Sequence, residues 1–105
     1  MSKMYIAVLD EVPDFMVPTL VAHTVINAHR YFEGDVVYDN WLLSSFKKVV
    51  LRVNKKEFEK IKQLPHWAGH ENTTLNGEQS CLVVLPVQSD AIPNVLKFAK
   101  MWKPL

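Results

Sequence analysis

Met4-Tyr-Ile-Ala-Val-Leu9 is a continuous apolar run near the start of the chain, made mostly of residues that favour extended backbone. Its shortness and its composition predict a buried strand. Asp10-Glu-Val-Pro-Asp14 then reads as a turn. A helix follows, with Pro18 in its first turn, where a backbone N–H would lack a partner in any case. Val17, Leu20, Val21, Val25, Ala28, Tyr31 and Phe32 recur at spacings of three and four, which makes one apolar stripe. Thr19, His23, Asn27 and Arg30 form a second, polar stripe on the same helix, and Glu33-Gly-Asp35 breaks it.

Further along, Asp39 to Phe46 predicts a short second helix capped by Asp39 or Asn40. Lys47-Lys-Val-Val-Leu-Arg-Val53 predicts a strand. Asn54 stands three residues before Glu57, a capping-box start for a helix that runs to about Leu64 and ends at Pro65. The polar stretch His66 to Gly77 has room for one short edge strand, and Ser80 to Pro86 predicts another strand. Ser89 or Asp90 would cap a last helix reaching about Trp102. Strands alternating with helices in this order predict a single-domain α/β fold over residues 1–105. Its architecture is a three-layer sandwich with a four-stranded mixed β-sheet flanked by helices.

The 105 residues suit one hydrophobic core, and 49% hydrophobic with 22% charged residues is ordinary globular composition. No apolar stretch approaches the ~20 residues of a spanning helix, and the first residues lack a signal peptide's apolar core, so a cytoplasmic protein is expected. The lone cysteine, Cys81, excludes an internal disulfide and sits in an apolar strand, where it should pack as a small hydrophobe. Only three glycines occur, at 34, 69 and 77, too far apart for a phosphate-cradling loop. His66, His70 and Glu71 are the cluster to test as metal ligands. Pro65 and Gly69 oppose the helix that would face the histidines together, so neither a metal nor another cofactor is expected. The net charge of +1 conceals an asymmetry: the chain through Phe46 carries two basic residues and six acids, the remainder ten basic residues and five acids. A basic half of this kind is either a solvated lysine surface or an attractor of phosphates.

Taken in order, four pieces of the sequence resemble the type II peptidyl-tRNA hydrolase family, the archaeal and eukaryotic kind. Thr19-Leu-Val-Ala-His23-Thr-Val-Ile-Asn-Ala28 resembles the family helix "GK-x-A-A-Q-x-x-H-A", with His23 on the motif histidine. Trp41 followed by Phe46 to Asn54 is similar to a family strand often reading "KKIVLKV". Gly77-Glu-Gln-Ser80-Cys-Leu-Val-Val-Leu-Pro86 is similar to "G-T-x-T-V-L-x-I-G-P", and Lys103-Pro-Leu105 to a closing "K-L-L". The resemblance implies a four-stranded mixed sheet flanked by helices, and hydrolysis of the ester between a peptide and tRNA. Two positions depart from the pattern. Met16 stands where the family has a lysine, and Trp67-Ala-Gly-His-Glu-Asn72 replaces the loop "D-A-G-[RK]-T-Q".

Two readings follow. As an enzyme, the chain would use His23, His70, Glu71 and Ser80 in one cleft. As a non-catalytic module on the same fold, it would bind tRNA, another phosphate-bearing partner or a protein. In either case Lys47, Lys48, Lys97, Lys100 and Lys103 would supply phosphate contacts. A homodimer is also left open, with Trp102 as the residue whose exposure would mark an interface.

Overall fold

The run Met4–Leu9 lies within β1 (Ser2–Leu9), the central strand of the sheet in a computed structural model that describes residues 1–70 and 77–103. Seven of its eight residues are buried, because both faces of the strand are covered. On one side β1 pairs in parallel with β2 (Lys47–Val53), with Ala7 opposite Leu51 and Leu9 opposite Val53. On the other it pairs antiparallel with β4 (Gln79–Val84), which in turn pairs antiparallel with the edge strand β3 (His66–His70). The sheet is therefore mixed and open, with helices on both faces. No helix among the described residues is long and apolar enough to cross a membrane.

Strand alternation assigns the helices to their faces. Val8 pairs with Cys81, and Cys81 with Gly69. A side chain on Gly69 would point straight at Thr24, so this face belongs to α1 (Val17–Phe32). α2 (Val36–Leu43) lies beside α1, with Tyr38 against both His29 and Phe32. Leu9 points the other way, and with Phe58 of α3 (Lys55–Ile61) it lines a depression on the opposite face. The parallel β1–β2 crossover thus covers one face and the following helix the other.

The helix starts follow from side-chain chemistry. Asn54 and Glu57 form the expected capping box: Asn54 Oδ1 accepts from Glu57 N at 2.8 Å, and Glu57 Oε1 from Asn54 N at 2.9 Å. α2 begins earlier than expected. Asp35, not Asp39 or Asn40, is its cap, accepting from Val37 N at 2.9 Å and Tyr38 N at 3.1 Å. A single 3-10 turn, Asp14–Met16, leads into α1, and Arg52 Nη2 reaches across from β2 to Asp14 Oδ1 at 2.5 Å. Both side chains of that pair are about a quarter exposed. Arg52→Met should therefore cost about 1 kcal/mol in a urea melt, the range of a screened ion pair.

Among the described residues the sheet has six strands rather than four. After Pro86 the chain continues in the same direction along β1, shifted by one residue, so that β5 (Val87–Gln88) pairs antiparallel with Lys3 and Ser2. The long last helix is replaced by α4 (Asn94–Lys97) and a two-residue strand, β6 (Lys100–Met101), paired with Leu51 and Arg52. Trp102 N then donates to Val50 O at 2.9 Å. The reason is the outer edge of β2, whose backbone polar groups are satisfied by an extended partner and would not be by a helix. Trp102 is half-buried, and its ring lies against the Arg52 guanidinium.

Candidate functional site

His23 is exposed on α1, on the flank that faces β3. Its Nε2 lies 3.1 Å from the backbone oxygen of His70, joining segments 47 residues apart. A carbonyl can only accept, so Nε2 carries the hydrogen, and in the neutral ring the lone pair is on Nδ1. The contact is possible because β3 and α1 approach closely. Gly69 is buried, and a Cβ there would sit 2.3 Å from Thr24 Oγ1 and 2.7 Å from Thr24 Cγ2. Thr24 is itself fully buried and donates to Leu20 O at 2.7 Å.

Of the four residues expected to converge, the fold joins two. His70 contributes its backbone carbonyl to His23 while its side chain is exposed. Ser80 is fully buried in β4 at an irregularity of the register: Gly69 pairs with Cys81 and His70 with Gln79, leaving Ser80 as the extra residue. Its hydroxyl has no hydrogen-bond partner among the described residues, and no hydrogen bond links it to His23. Glu71 lies outside the described residues. Met16 is half-buried at the start of α1.

The five lysines do not form one patch. Lys47 and Lys48 open β2, whereas Lys100 pairs with Arg52 at its far end, about 13 Å away at ~3.3 Å per residue. Lys97 and Lys103 flank Lys100 in the chain, and all three are exposed. Arg52 and Lys100, together with the acids Asp10 and Glu57 and with Asn54 and Phe98, line a depression of about 360 Å³. It sits outside the carboxyl ends of the parallel β1–β2 pair, the position where open α/β sheets hold ligands.

A second site was not visible in the sequence. α1, α2 and the start of β2 enclose an apolar groove of about 340 Å³, walled by Val25, Ile26, Tyr38, Trp41 and Phe46. Tyr38, Trp41 and Phe46 form a ladder of rings with centroids 5.4 and 5.3 Å apart. Phe46 is half-exposed, and its φ of 55° is a left-handed backbone conformation that bulky side chains rarely adopt. His29 stands at the rim, with Nδ1 2.9 Å from the Tyr38 hydroxyl and Nε2 3.7 Å from Glu33 Oε2. Burial, and then the charges of Asp39 and Glu33, push the Tyr38 phenol above its ordinary pKa, so it stays protonated and donates. His29 Nε2–H is then left to face Glu33.

No family model matches this chain, and no curated protein does. Its chemistry must therefore be argued from its own residues. Cys81 is one that can be set aside. It is fully buried, and burial pushes its thiol up from 9.0 to about 12, the Thr24 hydroxyl pulling more weakly the other way. Thiol reagents should leave the native protein unlabelled at pH 8 and modify it once urea unfolds it. Between about pH 9 and 12 the unfolded thiol loses its proton while the folded one keeps it. Stability contributed by Cys81 is therefore intact below pH 9 and declines as pH rises through that window, which denaturant melts at pH 8 and 10 would register.

Proposed function

We propose that the chain is a divergent domain of the peptidyl-tRNA hydrolase type that cleaves the ester between a peptide and tRNA with His23 as its base. The observation that supports this is the hydrogen bond between His23 and the backbone of His70. It unites the motif histidine of α1 with the segment that aligns with the family's catalytic loop. Nε2–H is held by the carbonyl, and Nδ1, with no hydrogen-bond partner among the described residues, can accept a proton from water in the neutral ring. The water oxygen adds to the ester carbonyl. The tetrahedral adduct then collapses, and the ribose 3′-oxygen leaves with the proton that His23 took. An exposed base suits a substrate as large as tRNA, and Arg52 and Lys100 offer phosphate contacts at one end of β2.

A binding-only reading draws on Met16, an apolar residue where the family holds a cation. The two readings separate in a turnover assay with N-acetylated aminoacyl-tRNA. Wild-type release that is lost in His23→Ala, with melting unchanged, supports the hydrolase. No release above buffer at high protein concentration sinks it. In that case tRNA binding that weakens steeply with salt, and that Lys100→Ala weakens further, would support the module.

A further inference from the structure

We infer that the groove between α1 and α2 is a binding site for a small planar aromatic carboxylate, independent of the His23 edge. Position on α1 separates the two. Val25 and His29 face the groove from more than 100° round the helix axis, and Arg30, nearly in line with His23, reaches it about 10 Å further along the axis at ~1.5 Å per residue.

The walls define the apolar half of the ligand. Tyr38 and Trp41 are buried, and Phe46, half-exposed at the outer end of their ladder, is the ring open to a guest. An aromatic ring meets it by offset or edge contact better than a flexible chain does. A volume of about 340 Å³ is at the small end of ligand pockets, which limits the guest to one or two fused rings.

The charges define the other half. Lys48 and Arg30 line the groove, and no carboxylate side chain does among the described residues. Lys48 Nζ sits 3.2 Å from the Phe46 ring centroid and 5.4 Å from that of Trp41, and it donates to Phe46 O at 2.7 Å. An ammonium has three donors; one goes to Phe46 O and one faces the Phe46 ring, which leaves one to meet an anion at the mouth of the groove. Phe46 gives the independent indication. A phenylalanine held in the left-handed region is strained, and such strain concentrates at ligand clamps. Here it turns the ring toward Trp41 and brings its carbonyl to Lys48.

The test uses 2-naphthoate as the probe, titrated into the whole chain and followed by NMR at the Trp41 indole N–H, which is hydrogen-bonded to Lys47 O. Saturable shifts centred on Trp41 and Phe46 are expected. The uncharged analogue 2-naphthalenemethanol should bind roughly tenfold more weakly, the low end of what one charge-assisted hydrogen bond contributes. Lys48→Met should erase that preference and His23→Ala should leave it intact. Phe46→Gly, whose backbone accepts the left-handed conformation, should stay folded and lose affinity for both compounds. Equal binding of acid and alcohol, shifts centred elsewhere, or no saturation would each overturn the assignment.

Discussion

Gly69→Ala is expected to destabilise the protein by about 3 kcal/mol, the upper range for forcing a group into a packed core. The new methyl would meet Thr24 Oγ1 at 2.3 Å, Thr24 Cγ2 at 2.7 Å and Thr24 Cβ at 3.0 Å. Thr24 cannot swing away, because its side chain is fully buried and its hydroxyl is bonded to Leu20 O. α1 and β3 must separate instead, and the His23–His70 hydrogen bond spans that gap. A melt should fall by about 15 °C, at 4–8 °C per kcal/mol for a domain of this size. Thr24→Ala removes the two nearest atoms, so the double variant should be more stable than the sum of the single effects predicts, by about 1 kcal/mol or more. Simple additivity would show that the clash is relieved elsewhere. Any turnover should also drop in Gly69→Ala at temperatures where the protein is still folded, because the tautomer of His23 is set across the same contact.

Trp41→Ala should cost about 4 kcal/mol, in the range for removing a buried aromatic side chain. Trp41 is 1% exposed, is among the largest fully buried side chains, and donates its indole N–H to Lys47 O at 2.8 Å. It also ties α2 to the start of β2 through its contacts with Tyr38 and Phe46. Trp41→Phe keeps most of the packing but strands the Lys47 carbonyl, so a loss of only about 1–2 kcal/mol is expected. Urea melts of the two variants measure both effects. Near-equal losses would mean that the hydrogen bond, rather than the ring volume, holds α2 in place.

Much of the frame was legible because its signals are local. The apolar run of β1 and the Asn54–Glu57 capping box involve residues close in the chain and form as read. The α1 stripe is buried at Val17, Leu20, Ala28 and Phe32, although Tyr31 is exposed and Thr24 is buried in addition. The last helix failed for the opposite reason. Its sequence is compatible with helix, but the open edge of β2 recruits Lys100 and Met101 as a strand. Asp35 displaced Asp39 as the cap of α2 because only its carboxylate reaches the amides of Val37 and Tyr38.

The candidate site was legible to the same limit. His23 could be singled out by its place on a polar stripe, but its partner is a backbone carbonyl, which carries no sequence signal. Thr24 was hidden beside it, and nothing local says that Gly69 is small because Thr24 presses on it. The aromatic groove was hidden too, since Phe46 turns into the left-handed region only where α2 meets β2. The sequence by itself determined the α/β class, the order of the main elements and the buried central strand, because periodicity and capping act within a few residues. Which faces meet, which carbonyl orients His23 and which rings share a groove were decided by tertiary structure alone, because those contacts join residues far apart in the chain.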